Sequence, residues 1–243
     1  MIPSFFIDNF PTFGEFIRWF PPFLVWAYCC LLLAGYLKKH KGLKTGYTRK
    51  IFHFLTFTSA AAIQTVWGLR TLCLFGAAAS AIIFYAILRG DDHLLYEAMA
   101  REKDVPRRTY YIIAPYFATL IGGVTSNIFF SQAAIVGYLV AGLGDAIGEP
   151  VGTRFGKHIY RVPSFGGVKS TRSYEGSAAV FLVSLLAIIV AFNISSELNR
   201  DNYSFLLFFS LALLSAVVEA ISPHGWDNAV MQIIPSWCVT MLV

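Results

Sequence analysis

The residues most able to do chemistry stand in AGLGDAIGEPVGTRFGK, 141–157, where Asp145 and Glu149 lie four positions apart at the end of an apolar run. On a helix that spacing puts both carboxylates on one face, about 5–6 Å apart at Cβ. Two ionised carboxylates so close at low dielectric repel unless a cation lies between them or one holds a proton. Each costs roughly 2.5–3.5 kcal/mol to place in lipid, so acids at such depth point to function. A divalent ion resolves the repulsion, and Mg2+ takes one or two carboxylates together with substrate phosphates. Gly144, Gly148 and Gly152 recur every fourth residue and would let a second helix approach closely. That spacing explains the glycines and not the acids. Pro150 has no N–H for the carbonyl of Ala146, so the helix is expected to end or kink there.

The next segment, TRFGKHIYRVPSFGGVKSTRSYEGSAAVF, supplies cations between glycines: Arg154, Lys157, Lys169 and Arg172 around Gly156, Gly166 and Gly167. Ser173, Glu175, Gly176 and Ser177 then open another apolar helix. A helix amino terminus with small residues beside flexible cations suits an anion. Neither GTRFGKH nor FGGVKS has the spacer of a Walker A loop, so a P-loop is excluded. Paired acids upstream and cations downstream together point to a metal-bound polyphosphate.

The elements that must hold these groups are membrane helices. Of the 243 residues, 56% are hydrophobic and 14% charged, with a mean hydropathy of +0.61. Soluble domains carry about 25% charged residues. Uncharged runs fill 19–37, 51–69, 71–88, 109–144, 176–196, 202–218 and 228–243. A crossing takes about 20 apolar residues, and 109–144 has room for two, turning near Ser126 and Asn127. The expectation is an all-α, polytopic membrane protein with about seven or eight transmembrane helices. Residues 1–18 read as an aromatic-rich interfacial segment, neither transit peptide nor cleaved signal. Residues 19–243 read as one transmembrane catalytic domain.

Cations orient it. Sixteen of the 19 Lys and Arg fall in 38–50, 89–108 and 154–172, leaving Arg18, Arg70 and Arg200 for the opposite side. The positive-inside bias puts the three long loops, and a site built on them, in the cytoplasm. RGDDHLLYEAMAREKDVPRR reads as an amphipathic surface helix ending before Pro106. Cys29, Cys30, Cys73 and Cys238 show no metal or disulfide spacing and read as small buried hydrophobes. Arg49 and Lys50 are either ordinary residues of a cytoplasmic helix end or functional, and His53, one turn into the span, reads as functional. Glu219 interrupts an apolar run; Asp227 is a candidate site residue or a helix cap.

RKIFHF at 49–54, GDAIGEPVGTRFGK at 144–157, KSTRSYEGS at 169–177 and, more loosely, EAISPHGWDN at 219–228 resemble the CTP-dependent polyprenol kinase family. That group holds dolichol, phytol and farnesol kinases and CTP-dependent diacylglycerol kinases; REKDVPRRTYYIIAPY at 101–116 has its look too. The resemblance runs from about residue 36 to the carboxyl end. It implies phosphoryl transfer from CTP to a membrane lipid alcohol, with Asp145, Glu149 and Glu219 toward Mg2+. Lys169 and Arg172 would bind phosphates. Arg49, Lys50, Gly144, Arg154, Lys157, Ser170, Gly176, Ser177, Asp227 and Asn228 would complete the nucleotide site. Asp145, Glu175 and His53 are all open as the general base. Nucleic acid is not an expected partner, and a homodimer is left open. Two rivals are a CDP-diacylglycerol synthase, whose signature PHGWDN echoes only faintly, and a small ion-coupled transporter using Asp145 and Glu149.

Overall fold

The computed structural model describes residues 2–163, 170–195, 198, 204–223 and 225–242. The chain divides into two compact units, 1–109 and 110–243.

In the first unit a short helix, α1 (Ile2–Asp8), precedes α2 (Phe13–Lys41). Thr12 and Glu15 form a capping box at the start of α2, and Gly42 closes it with a left-handed φ of 63°. Lys38, Lys39, His40 and Lys41 fill its last turn, where cations complement the helix dipole. The next helix, α3 (Thr45–Arg89), has 45 residues, which as one rod would extend ~67 Å against a hydrocarbon core of ~30 Å. It reverses instead at Gly68, whose φ of 79° no β-carbon favours. Trp26 donates to Ser59 at 2.9 Å and Trp19 packs on Trp67 at 5.0 Å, so the arm 45–67 runs antiparallel to α2. Phe23 meets Phe75, and Gly35 meets Leu94, so the arm 69–89 runs alongside α2 in the same direction.

The segment expected as a surface helix is folded inward. Only α4 (Leu94–Glu97) is helical before a short 3-10 turn, and Leu95, Tyr96, Ala98, Met99 and Ala100 are buried. Thr48 of α3 donates to the Ala98 carbonyl at 2.9 Å, giving this stretch an anchor that helical periodicity does not reveal. Lys38 and Arg108 both reach Glu97, at 3.0 and 2.7 Å, and Arg101 pairs with Asp104 in the interior.

The second unit begins with α5 (Tyr110–Phe130), which continues through Ser126 and Asn127 rather than turning there. The Asn127 amide nitrogen donates to the Gly123 carbonyl and to the Tyr138 hydroxyl, while its Oδ1 is buried without a hydrogen-bond partner. The reversal comes at Ser131, with φ of 49°. From there α6 (Ala134–Leu139), a π-helical turn (Val140–Asp145) and α7 (Ala146–Phe155) follow one another without a break. Pro150 does not end α7 as expected: the helix runs on to Phe155, and a π turn lies upstream.

A two-stranded antiparallel hairpin, β1 (Ile159–Val162) and β2 (Ser170–Ser173), follows and is the departure from all-helical structure. Tyr160 pairs with Arg172 in its register. Then come α8 (Tyr174–Ile194), α9 (Phe205–Ile221) and α10 (Asp227–Leu242). The core of the unit is formed by Ile135, Val136, Val140, Val180, Ile188 and Met231, all fully buried.

Among the described residues four helices are long and apolar enough to cross a membrane: Phe13–Lys41, Thr45–Arg89, Tyr110–Phe155 and Tyr174–Ile194, with Phe205–Ile221 shorter. These four do not establish the expected count of seven or eight. The last apolar run, as α10, buries Asp227, Asn228, Gln232 and Ser236. Of the four free cysteines only Cys30 is buried; Cys29 and Cys73 face outward, against the expectation for both.

Candidate functional site

The glycine ladder has the packing role its spacing suggested. A β-carbon on Gly144 would lie 2.4 Å from Ser184 Oγ, one on Gly148 2.8 Å from Val180, and one on Gly152 2.9 Å from Ser173 Oγ. The π turn and α7 therefore lie directly on α8. This contact fixes the depth at which Asp145 and Glu149 stand. Asp145, at the end of the π turn, is 3% exposed, and Glu149 is half-buried one turn on. π turns recur at functional sites because they re-aim side chains without ending a helix.

Arg172, on β2, is the centre of what assembles around them. Its Nε lies 2.7 Å from Glu219 Oε1 and its Nη2 2.9 Å from Asp227 Oδ2. Nη1 donates to the backbone carbonyls of Glu219 and of Ser222. One guanidinium thus meets the carbonyl end of α9 and one oxygen of each of two carboxylates, using the planar fork that lysine lacks. Burial alone would lower its proton affinity, but the carboxylates of Glu219, Asp227 and Asp145 outweigh this and push it upward. Glu219 and Asp227 are buried too, and a methyl on Gly148 would stand 4.0 Å from Glu219 Oε1. Segments 144–157, 170–177 and 219–228 therefore meet at one point.

Arg172 was expected to face phosphates; its fork faces acids. Among the described residues no three His, Cys, Asp or Glu side chains are grouped to hold a metal ion. In this arrangement the Arg172 guanidinium supplies the positive charge beside Glu219 and Asp227.

The amino terminus of α8 lies beside this cluster, opening directly after β2. Ser173 caps it, accepting from the Gly176 N–H at 3.1 Å, and Glu175 occupies its first turn. The positive end of the helix thus meets its own acid. Ser177 Oγ lies 2.6 Å from the Tyr160 hydroxyl, and Tyr160 packs on Tyr174 at 5.1 Å. Burial pushes the Tyr160 phenol upward, against the pull of the Ser177 hydrogen bond.

Outside this cluster, Arg154 and Lys157 are exposed at the end of α7, with Arg154 over the Phe155 ring at 5.3 Å. Arg161 is exposed on β1, and Ser170 is half-buried on β2. Gly144 is buried in the α8 contact. Lys169, Gly166, Gly167 and His224 lie outside the described residues.

Asn228 donates to Thr119 Oγ1 at 2.9 Å and to the Pro115 carbonyl at 3.3 Å, a packing role within α5 and α10. Arg49, Lys50 and His53 belong to the first unit, in the opening turns of α3. Lys50 is buried there, and the His53 ring lies 4.4 Å from that of Phe57.

Sequence reasoning missed Tyr160 and His158. His158 Nδ1 lies 2.7 Å from Glu175 Oε1. The signal for Tyr160 would have been strand alternation opposite Arg172, but four-residue strands are too short to announce themselves.

The chain is 30% identical over 130 residues to a phytol kinase of Synechocystis sp., a match covering 52% of this chain and 52% of that protein. It thus spans about half the length of this curated relative. No family model matches it, and no solved structure does.

Proposed function

We propose that the chain is a membrane-embedded kinase that moves a phosphoryl group from CTP to the hydroxyl of an isoprenoid alcohol of the phytol, farnesol or polyprenol type, at the cytoplasmic face. One observation carries this reading. Three of the segments that resemble the polyprenol kinases, far apart in sequence, close on a single buried guanidinium in the second unit. The similarity to a phytol kinase over half the chain supports the lipid-alcohol acceptor, and the apolar helices support a membrane-held one.

In phosphoryl transfer the protein mainly positions the reactants and neutralises charge. Arg172 locks the hairpin onto the turn between α9 and α10, which sets where the exposed cations Arg154, Lys157 and Arg161 stand. Those three are free to move toward a triphosphate, each by a charge-assisted bond of about 1.5–3 kcal/mol. The reactive end of the alcohol would reach them from the lipid along the outward faces of α7 and α8.

The experiment is an acceptor panel. Purified protein is given CTP labelled in its γ-phosphate with phytol, farnesol, a long polyprenol or diacylglycerol in turn. Label in an isoprenoid monophosphate is the expected result. Label in phosphatidate alone would move the chain to the diacylglycerol kinases and overturn the acceptor named here.

A further inference from the structure

His158 leads from α7 into β1, and its carbonyl accepts from the Tyr174 N–H at 3.0 Å, which extends the hairpin ladder to the first residue of α8. Glu175 is the next residue. Its carboxylate accepts from the His158 backbone N–H at 3.3 Å (Oε1) and 3.4 Å (Oε2), and Oε1 lies 2.7 Å from Nδ1 of the ring. An ionised carboxylate only accepts, so the hydrogen sits on Nδ1 and the lone pair on Nε2. The imidazole is 75% exposed and the carboxylate 27%. The acid is thus held by backbone and helix end, and the ring projects from it.

A ring fixed on one side by a carboxylate and open on the other is the arrangement of an oriented base. An exposed ion pair adds little to stability, so packing alone gives scant account of it. The titratable and charged groups around the ring are Glu175 and Tyr174 of α8, with Lys157 its neighbour in the chain. Two of the three bases the sequence offered are placed less well. Asp145 is buried beside Arg172, and both oxygens of Glu175 are engaged with His158.

We propose that His158 is the general base of the transfer, an inference that rests on the kinase reading above. Nε2 takes the proton of the lipid hydroxyl, and the oxygen lone pair so released forms the new bond to the γ-phosphorus of the nucleoside triphosphate. The bond from that phosphorus to the β–γ bridging oxygen breaks, and its electron pair leaves with the nucleoside diphosphate. The imidazolium formed is stabilised by Glu175 until it returns the proton to water.

The test is the pH dependence of kcat for the full chain, wild type against His158→Gln and Glu175→Gln, with a saturating isoprenoid alcohol and CTP. Wild-type kcat should fall toward acid, because a protonated imidazole cannot take the proton of the hydroxyl. His158→Gln should lose about 10^2- to 10^4-fold in kcat, show no such limb and keep KM for CTP within about twofold. Glu175→Gln should keep the limb and move it to lower pH, because the imidazolium loses its carboxylate.

An unchanged limb in His158→Gln, or a rise in KM for CTP with kcat preserved, would overturn the assignment. Should active wild type be found with either of those results, only the base is misassigned. Should wild type phosphorylate no alcohol at all, the kinase reading itself fails and the proposal falls with it. Equal thermal unfolding midpoints for wild type and His158→Gln are expected, since the ring is 75% exposed.

Discussion

At the scale of single residues, Arg172 has the largest stake. Removing one partner of a buried ion pair costs about 3–5 kcal/mol, because the remaining charge loses its compensation. Arg172→Ala strips the guanidinium from two buried carboxylates and from the carbonyl end of α9 at once. It should lower the unfolding free energy by that amount or more, a large part of the 5–15 kcal/mol typical of a fold. Arg172→Lys should recover only part, since an ammonium cannot span Glu219 and Asp227 together. Denaturation of the purified variants in one detergent checks both, and a lysine variant as stable as wild type would show that the fork is not what matters.

Asp145→Asn keeps shape and loses charge at a buried position facing that guanidinium. Activity should fall at least tenfold with folding retained, as read by turnover and by the unfolding midpoint. Glu97 makes a milder case. Burial would raise its carboxyl, but hydrogen bonds from Arg108 and Lys38 outweigh that and hold it below the usual range. With the folded value depressed, its stabilisation is complete above the ordinary carboxylate range and is lost as pH falls through the folded value. Unfolding midpoints measured downward from pH 6 should decline less steeply in Glu97→Gln than in wild type.

At the scale of elements, close helix contacts rest on positions where a methyl has no room. A β-carbon on Gly137 of α6 would stand 2.3 Å from the Gln232 carbonyl oxygen, a backbone atom of α10 that cannot turn aside. Gly137→Ala should therefore cost about 1–3 kcal/mol. Gly76→Ala, in open space on α3, should be neutral or gain about 0.5–1 kcal/mol from reduced backbone freedom. Comparing the two variants by thermal unfolding separates contact from propensity, and equal effects would deny the packing of α6 on α10.

The same scale shows what the sequence could and could not reveal. Composition and apolar runs announced the helices, and the four-residue glycine spacing announced the contact of α7 with α8. Spacing within a segment is local and legible. Arg172 and Glu219 are 47 positions apart, and Arg172 and Asp227 are 55 apart. No pattern in either segment says which charge will meet which, so Arg172 read as a phosphate ligand. Pro150 misled for a related reason: its missing N–H was visible, whereas the π turn upstream depends on packing. The stretch 90–108 has helical amphipathicity, yet its apolar residues turn into the first unit rather than toward a membrane surface.

At the scale of the whole molecule, function depends on which side of the membrane the basic segments face. The sixteen-to-three division of Lys and Arg is the ground for the proposal that they share the cytoplasmic side. Single cysteines replacing Lys44 and Arg161, in a background without the four native ones, should react with an impermeant thiol reagent only from that side. One replacing Arg70 should react only from the other. Labelling of Lys44 and Arg161 positions from opposite faces would separate the segments that resemble one kinase family.

The claim on which the rest turns is that a phosphoryl group, not a nucleotidyl group, moves to the lipid. The direct measurement is the stoichiometry of products from CTP and the accepted isoprenoid alcohol, using protein purified in detergent. CDP and the lipid monophosphate should appear one for one, with no pyrophosphate. Pyrophosphate released with a CMP-bearing lipid, or no nucleotide turnover with any alcohol, would contradict the account.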